Sequence, residues 1–198
     1  MKNSFVKYIF YCVTLLVLSS CHKSFEEITI PDQPGSAFDH YFIPKGQHYS
    51  QQSIYTPVEY NELRFTVKFD SSAVYTTLDP NNQYDINKLY GFSDNGTVHH
   101  EFSARIGWRW SDNALRLFGY VYNNGEVSYE ELTTISTGTE HECSIRIEGN
   151  HYIFSADDKT LSMTRTGTAA VATGYKLFPY FGGDETAPHD IHIWIKEN

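Results

Sequence analysis

Cysteine is scarce in this chain, and so is positive charge. Of the three cysteines, Cys12 and Cys21 sit near the N-terminus, and only Cys143 lies in the body of the sequence. That body therefore has no disulfide of its own and must rely on packing. Cys143 alternates with Ile145 and Ile147, so its expected role is that of a small buried apolar side chain. Fifteen Lys and Arg stand against 24 Asp and Glu, a net charge of −9. Such acidity argues against nucleic-acid binding while leaving room for a local basic pocket. No sustained 3.6-residue apolar period, internal repeat or low-complexity tract is present, which excludes helical bundles and solenoids. The one long apolar run, Tyr8 to Leu18, is shorter than the ~20 residues that a spanning helix needs.

What is present at the N-terminus has the order of an export signal. Lys2 and Lys7 precede the apolar run, and Leu18-Ser19-Ser20-Cys21 ends it. The ending resembles the bacterial lipobox, in which small residues fit the peptidase and the thiol takes the lipid. Residues 1–20 are thus expected to be a lipoprotein signal peptide, with Cys21 the site of lipidation. Residues 21–38, with Pro31, Pro34 and Gly35, read as a tether. Acyl chains contribute ~0.8 kcal/mol per buried CH₂, so the lipid alone would anchor the protein and no other membrane contact is needed. His22 after the cysteine resembles outer-membrane sorting, and Glu26 and Glu27 resemble the acidic tag of surface-displayed lipoproteins. The expected location is the cell envelope, at the outer membrane.

Residues 39–198 suit one domain with one core. Their pattern is that of strands and turns. Leu63, Phe65, Val67 and Phe69 alternate with polar residues; so do Ala104, Ile106, Trp108 and Trp110, then Leu115, Leu117 and Val121, then Ile191, Ile193 and Ile195. Asn123-Asn124-Gly125 is a hairpin signal. Asp79-Pro80-Asn81-Asn82, Asp94-Asn95-Gly96 and Asp157-Asp158-Lys159 are turn clusters, and Asp85 to Leu89 leaves room for a short helix. Many short strands separated by turns predict an all-β, two-sheet antiparallel sandwich or jelly roll.

Gly174-Tyr175-Lys176-Leu177-Phe178-Pro179-Tyr180-Phe181-Gly182-Gly183, the following Ala187 to Ile193, the Ile106-to-Trp110 strand and the Asn-Gly hairpin together resemble the concanavalin A-like lectin/glucanase superfamily. Within it they are most similar to the polysaccharide-lyase-like jelly rolls of bacterial lipoproteins. The resemblance covers roughly residues 40–198 and implies two curved sheets, with glycan on the concave face or its rim. The catalytic motifs of its branches are missing. The glucanase branch carries three carboxylates on one face of one strand, but Glu130-Glu131 leads into Leu132-Thr133, and Glu140-His141-Glu142 into Cys143. The alginate-lyase branch carries a Gln-x-His strand that this chain lacks, and a tyrosine motif whose spacing Tyr175 to Tyr180 does not match.

Side-chain parity yields the main candidate site. If Ala104, Ile106 and Trp108 on one strand and Leu115, Leu117 and Val121 on the next face the core, then Arg105, Arg109, Arg116, Phe118, Tyr120 and Tyr122 share the opposite face. Guanidiniums pair bidentately with carboxylates, and rings stack on the C–H face of a sugar. Two readings stay open: a glycan-binding face, or a solvated face whose arginines pair with acids on adjacent strands. A second cluster, Asp94, Asn95, His99, His100 and Glu101, holds a candidate general base. On a strand, though, neighbouring histidines would point to opposite faces. Asp184, Glu185 and Asp190 near Gly182-Gly183 offer hard oxygen ligands for a structural calcium, with a plain turn as the commoner alternative. No other cofactor is implied. His48 is expected to seal one end of the sandwich.

The functional expectation is a lipid-anchored, polysaccharide-binding, lectin-like protein whose partner is a glycan. One alternative is a divergent polysaccharide lyase, in which Arg105 and Arg109 neutralise a uronate and Tyr120 or His100 moves the proton. Another is a structural lipoprotein that faces a protein partner.

Overall fold

The computed structural model describes residues 38–198. The proposed signal, Cys21 and nearly all of the tether lie outside the described residues. Twelve strands build the domain: β1 (Asp39–Ile43), β2 (Pro57–Tyr60), β3 (Glu62–Phe69), β4 (Asn87–Ser93), β5 (Phe102–Ser111), β6 (Ala114–Asn123), β7 (Glu126–Ile135), β8 (Glu140–Glu148), β9 (His151–Ala156), β10 (Lys159–Thr164), β11 (Ala172–Leu177) and β12 (Ile191–Glu197). They pair into two six-stranded antiparallel sheets, ordered β1-β12-β3-β8-β9-β10 and β2-β11-β4-β5-β6-β7. Among the described residues no helix is long and apolar enough to cross a membrane.

The alternating pattern explains both sheets. Leu63, Phe65, Val67 and Phe69 of β3 and Ile191, Ile193 and Ile195 of β12 turn inward from the first sheet. Ala104, Ile106 and Trp108 of β5, with Leu115, Leu117 and Val121 of β6, meet them from the second. Gly119 continues the inward series on β6, where a Cβ would fall 2.6 Å from Met163 Sδ and 3.0 Å from Phe154. The core is close-packed there, and a larger residue would have to push those side chains aside. Two-residue turns close the β5–β6 and β6–β7 hairpins. Asp112 and Asn113 (φ 53° and 58°) form the first, and Asn124 and Gly125 (φ 52° and 82°) the second. Positive φ at both centres matches the twist of the flanking strands.

One polar network crosses the core. Arg165 Nε donates to Asp94 Oδ2 at 2.7 Å, and Tyr152 Oη donates to the same oxygen at 2.6 Å. Both members of the ion pair are fully enclosed.

The short helix expected at Asp85–Leu89 is absent. A 3-10 turn spans Pro80–Tyr84 instead, begun by Pro80 and capped by the Asp79 side chain, which accepts from Asn81 N. Capping chemistry put the turn where the proline and aspartate stand. Asn87 onward then belongs to β4.

Candidate functional site

The outer face of the second sheet carries the site. Parity holds between β5 and β6, which pair without a break: Arg105 opposite Tyr120, Gly107 opposite Phe118, and Arg109 opposite Arg116. The six predicted residues therefore do share one face. They do not form one platform.

Half of that set is already satisfied. Arg116 pairs with Glu131 at 2.8 Å and Asp112 at 3.5 Å. Arg109 donates to the Tyr84 carbonyl at 2.8 Å and to Ser111 Oγ at 3.1 Å. Its guanidinium covers the Phe118 ring at 4.7 Å. Phe118 is buried against Ile86 and offers no free ring face. At this end of the strands the solvated, ion-paired reading is correct, because Glu131 and Asp112 lie within reach.

Arg105 is different. It is only 7% exposed, its Nε is buried without a partner, and its guanidinium forms no hydrogen bond or ion pair among the described residues. Burial pulls its pKa down, opposed by the phenols of Tyr120, Tyr122, Tyr175 and Tyr180. The guanidinium carbon lies 5.2 Å from the Tyr120 ring centre and 6.0 Å from that of Tyr122. Beside it, Lys88 Nζ lies 4.6 Å from the Tyr120 ring centre and donates to the Ile86 carbonyl at 2.6 Å. Burial, then the charge of Arg105, lower the Lys88 pKa to about 8. Two cations share a half-dry site with rings for neighbours. A buried charge left unpaired is costly, and its natural complement is an anion from outside.

The histidines also depart from expectation. His99 and His100 lie on a turn, so strand alternation does not separate them, and their ring centres are 4.2 Å apart. Tyr175 Oη accepts from the His99 backbone N–H at 3.0 Å and lies 2.8 Å from His99 Nδ1. Burial, then Arg105, lower the His99 pKa to about 4, so the ring is neutral near pH 7. His100 packs against Tyr122 instead. Asp94, grouped with these residues in sequence, belongs to the core network described above. Burial pushes the Tyr120 phenol up, so it keeps its proton and is a poor base.

Two cavities open along this region. One, of about 260 Å³, is lined by Arg105, His99, Tyr175, Tyr180, Tyr49 and Tyr55, among others. The second, of about 340 Å³, is lined by Asp39, His40, Tyr41, Gln52 and Tyr90, among others. Ile54, Lys176 and Phe178 line both, so the cavities adjoin.

Sequence reasoning missed Lys88, His99, Tyr175 and Tyr180 as neighbours of Arg105. β4 brings in Lys88 and β11 brings in Tyr175; Tyr180 follows β11, and His99 lies on the turn before β5. Their one local trace is Gly91, directly opposite Arg105, a residue with no side chain where the arginine must lie.

The remaining candidates have structural partners. Glu185 accepts from the backbone of Leu78 and Asp79 and from Asn82, and Asp190 accepts from Lys45 N. Among the described residues, no three His, Cys, Asp or Glu side chains, Asp184 included, gather as a metal site. His48 Nδ1 donates to the Phe181 carbonyl at 2.8 Å, and its ring lies against Tyr180. Cys143 is buried, which pushes its thiol pKa up.

No protein-family model and no curated protein matches the sequence. Solved structures do match. An alginate lyase from Klebsiella pneumoniae aligns with a TM-score of 0.53 at 11% identity, over 69% of this chain and 58% of that one. This chain thus spans less than two thirds of that enzyme. The alginate lyase AlyC3 aligns with a TM-score of 0.54 at 10% identity, over 81% and 74% of the two chains. A GH16 protein of the Bacteroides ovatus mixed linkage glucan PUL, in complex with a G4G4G3G product, aligns with a TM-score of 0.51 at 11% identity, over 81% of each chain. The fold is a concanavalin A-like jelly roll.

Proposed function

We propose that this domain binds an acidic polysaccharide, seating a carboxylate of the glycan on Arg105. The observation that carries the reading is the buried Arg105 guanidinium, which has no acid or acceptor of its own among the described residues. A carboxylate entering the 260 Å³ cavity would supply both acceptor oxygens. Lys88 adds a second positive charge, and the tyrosines of the cavity supply rings for the sugar. The AlyC3 structure that holds dimannuronate has the same fold, with a TM-score of 0.53 at 10% identity, which agrees with a uronate ligand here. Together with Leu18-Ser19-Ser20-Cys21, the reading is of a lipid-anchored envelope protein that captures glycan. Affinity electrophoresis against acidic and neutral glycans tests it. Retardation on acidic glycans that disappears in Arg105→Ala is expected; no retention on any acidic glycan rejects the reading.

The hydrogen-bonded His99–Tyr175 pair favours a second reading, β-elimination at the same site. Arg105 would neutralise the uronate carboxylate and acidify the adjoining C–H. Neutral His99 would take the carbon-bound proton. The electron pair left behind would form the C=C bond as the glycosidic C–O bond breaks, and the Tyr175 phenol would give its proton to the leaving oxygen. Ultraviolet absorbance of an unsaturated product, lost in both Tyr175→Phe and His99→Ala, would establish the lyase. Binding without such product leaves the lectin.

A further inference from the structure

We infer that the recognised glycan is one in which the uronate seated on Arg105 is followed by an uncharged sugar, as in a polymer alternating the two, and not an unbroken polyuronate. The inference rests on the acidic-glycan reading and extends it to the second cavity. Joined through Ile54, Lys176 and Phe178, the two cavities reach the roughly 300–1,000 Å³ range of small-ligand sites. A glycan chain entering one therefore meets the other. Their charges differ. The first has Arg105 on its wall with Lys88 beside it.

In the second, Lys176 is the one lining cation, and it is already spent. Its Nζ is held by Glu197, which also accepts from Tyr60 and Tyr90. Asp39 lines the same cavity, is exposed, and forms no ion pair among the described residues. His40 bonds His192 at 2.9 Å, and burial lowers its pKa, so it is neutral near pH 7. A second carboxylate placed here would face a carboxylate and no free cation. An uncharged sugar meets a wall that includes Phe178 and the small exposed parts of Tyr41 and Tyr90. Its hydroxyl or amide acceptors can use the Gln52 amide, whose oxygen is engaged by Phe42 N and whose NH₂ is not.

Two hexasaccharides separate the cases: a hyaluronan hexamer, with a uronate at every second sugar, and an oligomannuronate hexamer, with one at every sugar. Calorimetry at matched ionic strength of about 0.15 M is expected to give about fivefold or more tighter binding of the hyaluronan hexamer, on the scale of one like-charge contact. Asp39→Lys should close most of that gap by raising oligomannuronate affinity, and the milder Asp39→Asn should close part of it. Glu126→Gln, on the distant edge strand, should leave the ratio as it was, which separates a local effect from net charge. Equal binding, or tighter oligomannuronate binding, that still needs Arg105 overturns the inference and leaves the acidic-glycan reading standing. A preference that ignores Asp39→Lys overturns it too. Failure of both hexamers to bind, or binding indifferent to Arg105→Ala, overturns the underlying reading and the inference with it.

Discussion

Gly91 of β4 lies directly opposite Arg105 of β5, and a Cβ on Gly91 would fall 2.7 Å from Arg105 Cα and 2.9 Å from its Cγ. The same Cβ would also strike the Ala104 carbonyl oxygen. Glycine here is a matter of space: the guanidinium crosses the sheet over a strand with no side chain in its path. Gly91→Ala should therefore destabilise the domain by about 1–3 kcal/mol, the usual cost of overpacking, and displace Arg105 from the cavity. Urea denaturation would show the lower midpoint, and calorimetry the lost glycan affinity.

Arg105→Met separates stability from binding. Removing a buried, unpaired charge and keeping the apolar stem should stabilise the fold, by about 1–3 kcal/mol if this site behaves like other buried ions replaced by apolar groups. Acidic-glycan affinity should meanwhile fall by roughly 10-fold or more, the loss of one charge-assisted hydrogen bond. Arg105→Lys keeps charge but loses the planar fork, so it should bind with intermediate affinity. A denaturation midpoint that drops in Arg105→Met would contradict this account.

Lys88 makes stability and binding move in opposite directions with pH. The folded protein holds its pKa at about 8, against an ordinary 10.5. Between those values the unfolded chain binds more protons than the folded one, so this residue's contribution to stability rises as pH climbs through 8 toward 10.5. Carboxylate binding prefers the ammonium form and should weaken over the same range. Lys88→Met should flatten both trends. Denaturation midpoints and glycan affinities measured at half-unit pH steps check the pair.

Asp94 and Arg165 should tolerate no single replacement. Asp94→Asn leaves a guanidinium enclosed in the core with its carboxylate gone, which costs about 3–5 kcal/mol for a buried pair. Because Asn95 N also donates to Asp94, amide exchange in the turn leading to His99 should quicken. Hydrogen exchange followed residue by residue would show both effects.

Much of this fold is legible in the sequence, and for a physical reason. β3, β8 and β12 bury mainly one face, and β5 and β6 turn one face of aliphatic side chains and Trp108 to the core, so packing writes a period of two into Leu63–Phe69, Ala104–Trp108, Leu115–Val121, Cys143–Ile147 and Ile191–Ile195. β7 buries neither face fully, its first six residues are exposed, and no alternation marks it. At the site, parity placed Arg105, Tyr120 and Tyr122 together, because it depends only on one hairpin. It could not rank the three arginines. Arg116 is satisfied by Glu131 across the next strand, Arg109 by a carbonyl 25 residues earlier, and Arg105 by nothing among the described residues. The partners of His99 and Lys88 depend on where β11 and β4 dock, which no local pattern encodes.

Pairing of Asp39 with Ile195 brings the first and last strands of the domain side by side, next to the cavity that Asp39 lines. A tag added after Asn198 would therefore start near the lip of the proposed glycan groove. Capture on a sensor chip through that end would crowd the sugar's path, whereas biotin on an engineered cysteine in the Asn124–Gly125 hairpin would leave that end clear.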